Sequence, residues 1–316
     1  MSNVSQQMIS GGLSGFASTI VLQPFDMLKT RVQQGDGALQ RCAHTLSRRF
    51  PRPYTLNTAA IVRGIIQKDG IKGLWRGTAP TLLRNVPGVA LYMTSLTQLR
   101  TVMAGSPYFA TVRKDVDGKH SSVLPKLTVQ GNLISGATAR VAVGFLLNPM
   151  SVLKARFESN LYAYESLYGS LATIVRQGPN ELLRGFFASS LRDAPYAGLF
   201  VVFYEGIKRE TSILLPSTSG AYSAGIHGFS AAAAGAIATM ATHPFDVIKT
   251  KIQVRSEDRY HGFLRTVRTV WRQRGVSGFF DGASLRLSRK VASSAIGWAV
   301  YEGFLLFMRT GIVVVD

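Results

Sequence analysis

The sequence predicts an all-α membrane protein: six transmembrane helices in three pseudo-threefold repeats, each with a short surface helix. Three observations carry this. First, a motif of proline, acid, two spacers, lysine, spacer and base begins at Pro24-Phe25-Asp26, returns at Pro149-Met150-Ser151 and returns again at Pro244-Phe245-Asp246. Each copy ends on a lysine and a second base: Lys29 and Arg31, Lys154 and Arg156, Lys249 and Lys251. Self-similarity at a fixed period marks a repeat architecture. Second, after each motif comes a Gly element, namely Asp69-Gly70 leading to Trp75-Arg76-Gly77, Gln177-Gly178 to Leu183-Arg184-Gly185, and Arg274-Gly275 to Phe280-Asp281-Gly282. Third, the 316 residues are 46% hydrophobic with a mean hydropathy of +0.14, yet carry a formal charge of +19. That balance suits a basic membrane protein better than a soluble enzyme.

The first span is expected at 5–34, an uncharged run to Phe25 that ends in the first motif. The others follow at 80–104, 126–156, 188–212, 222–253 and 283–309, read from apolar runs, Gly and Pro punctuation and charge boundaries. Several uncharged stretches, such as Asn85 to Leu99 and Ala194 to Tyr204, fall short of the roughly 20 apolar residues that a lipid-embedded helix needs. Their polar faces are therefore expected to point at water inside the protein. Short amphipathic helices near 57–68, 166–177 and 262–273 are expected to lie along the membrane surface with their Arg and Lys at the headgroups. Polar insertions at 34–53 and 105–125 read as loops. The repeats so defined are 1–105, 106–215 and 216–316.

Small residues precede each motif proline: Gly11 and Gly15, Gly136, Ala231 and Gly235. Such spacing lets helices approach closely where lipid supplies no hydrophobic drive. Arg140 occupies the second small position of the third span. A charge there is either paired with a neighbour or functional. A proline within a helix removes a backbone hydrogen bond and bends it, so Pro24, Pro149 and Pro244 are expected to kink three helices at one end.

A charge of +19 also suits a nucleic-acid binder. The bases, however, lie after apolar segments and between them, as in Arg41, Arg48, Arg49, Arg52, Arg63, Lys68 and Lys72, and no nucleic-acid motif accompanies them. Anionic lipid is the better counter-charge. Cys42 is the only cysteine, which excludes an intramolecular disulfide and a Cys-based zinc site. The five histidines lack ligand spacing, and no Walker loop, nucleophile elbow or paired carboxylates occur. No enzyme activity, metal or cofactor is expected. Residues 1–7 show no Arg-rich leader, so import into an organelle is expected to use internal signals.

The tripled proline motif with its aromatic-basic-Gly partner resembles the mitochondrial carrier family, six-helix transporters of the inner membrane. The match spans nearly the whole chain. The stretch Leu191-Arg192-Asp193-Ala194-Pro195-Tyr196-Ala197-Gly198-Leu199 is similar to the fourth helix of those members that carry glycine for haem synthesis. The resemblance implies a small amino acid as cargo, glycine favoured, with another small amino acid or a carboxylate-bearing cofactor as the alternative. A carrier-derived scaffold that no longer transports is the reading from a different class. It also implies alternating access, a monomer, and termini toward the intermembrane space.

Site residues come from the same resemblance. At the matrix gate Asp26 is expected to pair with Lys154, and Asp246 with Lys29. Ser151 stands at the third acidic position, so the network of which Lys249 is part would hold two pairs instead of three. Gln33, Glu158 and Gln253 are placed to brace those pairs. At the cytoplasmic gate Glu302 is expected to pair with Arg100, beside Glu205 and Lys208. Aligned on Pro87, Pro195 and Ala292, the dipeptides Arg84-Asn85, Arg192-Asp193 and Arg289-Lys290 become the substrate contacts, joined by Arg140. An adjacent Arg and Asp offer a fork for a carboxylate and an anion for an ammonium. Thirteen residues of helix between Arg192 and Glu205 put this site roughly 20 Å from the cytoplasmic gate. Cardiolipin is implied at Trp75, Arg76 and Gly77 and at Leu183, Arg184 and Gly185, where free amides at helix starts suit phosphate; Asp281 weakens the third copy.

Overall fold

A computed structural model describes residues 3–35, 58–106, 108–109, 127–159, 161–162, 164, 166–214, 220–293 and 295–296. Most of the two predicted insertions, and Glu302, lie outside this set. Among the described residues the chain is helical, with no strand beyond a lone bridge residue at 127. The elements run α1 Asn3–Gln34, α2 Thr58–Asp69, α3 Thr78–Ala104, α4 Val129–Leu146, α5 Asn148–Glu158, α6 Leu167–Arg176, α7 Pro179–Leu182, α8 Phe186–Leu214, α9 Gly220–Ala241, α10 His243–Val254 and α11 Phe263–Arg274. A further helix, α12, begins at 283 and is continuous to 293.

The first five predicted spans agree with the observed helices to within a few residues, with one difference of kind, and the sixth begins where expected while its far end lies outside the described residues. The second and third motif prolines divide their helices, because a proline offers no N–H to the preceding turn and disfavours helical backbone just before it. The span predicted at 126–156 is α4 followed by α5, bent by 66° across Leu147. The span predicted at 222–253 is α9 and α10, interrupted at Thr242. By contrast, α1 continues through Pro24 as one helix. The three expected kinks are therefore not alike.

The chain forms two compact units, and it passes between them repeatedly. One comprises Met1–Val86, Pro149–Gly185 and Val247–Asp316; the other Pro87–Asn148 and Phe186–Asp246. In the first, the motif helices of the first two repeats are each packed by the surface helix that comes after them. Met27 and Val32 of α1 are buried with Ile61 and Ile65 of α2, which share a face one turn apart. Val152, Leu153 and Phe157 of α5 are buried with Ile174 of α6. Ser166 starts α6 by accepting a hydrogen bond from the Gly169 amide, a side-chain cap. In the second unit α8 packs on both α4 and α9. Thr128 caps α4 through the Gly131 amide at 3.2 Å.

Polarity is arranged the reverse of a water-soluble core. Gln23, Asp26, Thr30, Arg31, Gln33 and Gln34 of α1 are all buried. Apolar Val86, Val89 and Met93 of α3 and Val202 of α8 are exposed. An apolar exterior with charged groups inside fits lipid as the surrounding solvent. Among the described residues no single helix is long and apolar enough to cross a membrane by composition alone, and only the bent pair of α4 and α5 passes that test.

Candidate functional site

In the first unit the charged motif residues converge on Asp26. Its Oδ2 lies 2.7 Å from Lys154 Nζ, and its Oδ1 is paired with Arg289 Nε. Lys154 is also 3.5 Å from Glu158 one turn on. Glu158 in turn accepts from Thr30 Oγ1 at 2.7 Å and from Gln23 Nε2 at 3.2 Å. Buried carboxylates of this kind are stable only while cations and donors surround them, and here four groups on three helices serve the two acids together. Asp26 thus joins the expected gate lysine Lys154 to Arg289, a residue expected to contact substrate.

Around these charges the repeats interlock in cyclic order, through contacts that the sequence alone does not announce. Arg31 Nε donates to the Glu158 carbonyl at 2.9 Å, and Arg156 Nε to the Gln253 carbonyl at 3.3 Å. Gly77, Gly185 and Gly282 take positive φ of 94°, 75° and 75°. Each lies against the side chain nine residues past the proline of the next repeat in the cycle: Gly77 on Glu158, Gly185 on Gln253, Gly282 on Gln33. Gln253 Nε2 donates to the Arg184 carbonyl at 3.3 Å, and Gln33 Oε1 accepts from Thr250 at 2.7 Å. These two glutamines bond across repeats; Glu158 is the member of the set that reaches a gate lysine. The recurrence of a base seven residues past each proline is the signal that marks Arg31 and Arg156.

The basic residues expected at lipid have protein partners. Arg76 Nη2 donates to the carbonyls of Tyr162 and Tyr164, each at 3.4 Å. Arg184 Nε donates to the Ile252 carbonyl at 2.5 Å, and Nη1 pairs with Glu181 at 2.7 Å. Arg184 is buried and half-buried Arg76 also turns to protein acceptors, since a desolvated guanidinium must satisfy its donors. Trp75 and Leu183 are exposed instead, Trp75 bonding the Ile20 carbonyl at 2.9 Å. In the third copy Asp281 pairs with Arg274 at 2.5 Å. Glu181 is shared between Arg184 and Arg156. Burial pushes the Glu181 carboxyl up, but the two arginines outweigh it and hold it below its ordinary value of 4.5.

In the second unit Arg192 is the centre. Its Nε and Nη2 grip Asp193 in a fork, at 2.8 and 3.0 Å, and its Nη1 reaches Asp246 Oδ1 at 2.9 Å. The Asp246 side chain is 2% exposed, that of Arg192 17% and that of Asp193 28%. Asp246, assigned to the gate by sequence, is thus also a partner of the expected substrate arginine. The Arg140 guanidinium sits 4.9 Å from the centre of the Tyr92 ring, a cation–π contact. Asn85, on the first unit, donates to Thr19 at 3.3 Å. Arg100 is partly buried, with an Nε that has no hydrogen-bond partner among the described residues. Its expected partner Glu302 lies outside them.

A sequence model described as "Mitochondrial carrier protein" matches residues 1–107, 125–212 and 220–311. The chain belongs to the mitochondrial carrier family. With that, the six helical spans are transmembrane and the chain is a mitochondrial membrane transporter, not an enzyme. Among curated proteins, a "Mitochondrial glycine transporter" of Laccaria bicolor is 69% identical over 98% of this chain and 99% of its own length. Proteins of the same name from Emericella nidulans and Mycosarcoma maydis are 44% and 40% identical, over 94% and 92% of this chain and 86% and 82% of theirs.

Proposed function

We propose that this carrier moves glycine across the inner mitochondrial membrane into the matrix, in support of haem synthesis. The observation that carries the reading is the near-full-length similarity, at 69% identity, to a protein named for glycine. The chemistry around Arg192 supports it: a guanidinium for the carboxylate and two acids within reach for the ammonium. Arg84, Asn85, Arg140, Arg289 and Lys290 complete the proposed contacts. A small zwitterion needs both charges met at short range and little else, since each unpaired charge would cost heavily in a poorly solvated site.

Transport proceeds by alternating access, the two gates opening in turn on a central site. The matrix gate comprises Asp26, Lys29, Lys154, Asp246 and Lys249, with Gln33, Glu158 and Gln253 holding the repeats beneath it. The cytoplasmic gate comprises Arg100, Glu205, Lys208 and Glu302. The protein acts as a monomer with both termini toward the intermembrane space. Cardiolipin phosphate meets the helix starts at Gly77 and Gly185, with Trp75 and Leu183 beside the acyl chains.

Uptake of labelled glycine into liposomes holding the purified full chain tests this. Saturable uptake that is lost in Arg192→Ala is expected. Uptake of another amino acid but not of glycine refutes the cargo, and absence of flux for any solute favours the non-transporting scaffold.

A further inference from the structure

Pro24 has no N–H, so the Ile20 carbonyl one turn earlier in α1 loses the donor that a helix gives it. Lipid offers no water in exchange, and a proline inside a membrane helix is tolerated when a neighbouring group satisfies the carbonyl it orphans. That neighbour is Trp75. Its indole Nε1 donates to the Ile20 carbonyl at 2.9 Å. Trp75 ends the short turn Ile71–Trp75, which Leu74 anchors against Met27, Val32, Ile61 and Ile65. Thr78 Oγ1 holds the Trp75 carbonyl at 2.6 Å, and the Arg76 carbonyl accepts from Gln23 Nε2 at 3.3 Å. The same element therefore grips α1 twice, just before the proline.

The other two repeats lack this donor. Leu183 and Phe280 stand where Trp75 does and face outward as it does, Leu183 at 38% exposure and Phe280 and Trp75 at 40% each; only the tryptophan carries an N–H. With the donor present, α1 runs on through Pro24. Without it, α4 ends at Leu146 and α9 at Ala241, short of Pro149 and Pro244. A tryptophan at a membrane surface ordinarily turns its N–H to water or headgroups. Here the ring faces out and the N–H turns to backbone.

Resting on the reading of Asp26 as a gate residue, we infer that Trp75 is a positioning residue for the matrix gate: its indole N–H replaces the amide that Pro24 lacks and so carries α1 unbroken into the motif. Asp26 has to meet Lys154 of α5 and Arg289 of α12 together. A continuous α1 holds the carboxylate where both cations reach it, whereas a helix free to pivot at Pro24 brings it there less often. The first motif helix is thereby the stiff one of the three.

A double-mutant cycle on the purified full chain tests the donor, with the thermal midpoint followed by circular dichroism. Trp75→Phe is expected to lower the midpoint by about 2–4 °C. On Pro24→Ala, where an amide returns to Ile20, it should lower it by about half as much or less. Should Trp75→Phe fail to fold, benzothienylalanine at position 75, which keeps the ring shape and puts sulfur in place of the N–H, makes the same comparison. Thiol labelling reads the gate. In Cys42→Ser with Ser151→Cys, which puts the sole thiol at a buried position of the second motif, Trp75→Phe is expected to speed reaction with a water-soluble maleimide by about two- to tenfold. Asp26→Asn, which removes the charge pairs outright, is the comparison. Equal midpoint losses on both backgrounds overturn the inference and leave Trp75 a surface ring. Faster labelling in Asp26→Asn but not in Trp75→Phe overturns the positioning role, and no change in either refutes the gate reading beneath it. Neither measurement uses a solute, so a carrier that refuses glycine loses its proposed cargo and keeps this inference.

Discussion

Gly185 and Gly282 both take a φ of 75°, yet they meet different surroundings. A methyl group added at Gly185 would lie 2.8 Å from Gln253 Cγ and 3.4 Å from its Cδ, whereas at Gly282 the nearest atoms stand at 3.6 Å. The backbone cost of alanine at this φ, about 1–2 kcal/mol, is common to both. Overpacking at Gly185 adds about 1–3 kcal/mol, because Gln253 is buried and tied to the Arg184 carbonyl. Gly185→Ala is therefore expected to destabilise by about 2–5 kcal/mol and Gly282→Ala by about 1–2 kcal/mol. Thermal unfolding of the detergent-purified chain, followed by tryptophan fluorescence, ranks them. Adding Gln253→Ala, which removes the obstructing atoms, should recover the about 1–3 kcal/mol of overpacking in Gly185→Ala and nothing in Gly282→Ala. Equal midpoints for the two glycine variants, or strict additivity with Gln253→Ala, would refute the cyclic packing argument.

Reversing either Asp26 or Lys154 is expected to abolish uptake, and swapping the two to restore only a minor part of it. The swapped lysine would face Arg289 and the swapped acid Glu158, so adding Arg289→Gln and Glu158→Gln should improve recovery; flux measurements on the swap with and without these changes decide. Glu181 contributes stability that is fully present above its unfolded value near 4.5 and is lost as pH falls through its lower folded value. Glu181→Gln should accordingly flatten the fall in melting midpoint below about pH 4.5, and an unchanged profile would remove the two arginines as its cause.

Much of the helical frame is legible in the sequence, because threefold repetition supplies each boundary three times. The surface helix expected at 57–68 is Thr58–Asp69, and the one at 262–273 is Phe263–Arg274. The unequal response to the motif prolines is not legible, since Pro24, Pro149 and Pro244 carry the same local chemistry and tertiary packing decides whether the helix continues or breaks. Side chains paired with side chains leave a trace of complementary charge, as Asp26 and Lys154 do. Those that bond a backbone carbonyl leave none, since every residue offers the acceptor. Arg31 and Arg76 are of the second kind, and Arg156 and Arg184 add carbonyl bonds to the Glu181 pair they share, which is why sequence directs two of the four to lipid and gives the other two no partner.

The head-to-tail contact of Gly282 with Gln33 has a consequence for biogenesis. The circuit joins the first repeat to the third across most of the polypeptide, so bringing them together carries a large loop-closure entropy. During import the first two repeats can associate through Gly77 and Glu158 while the third is still threading. The circuit closes only when Gly282 reaches Gln33.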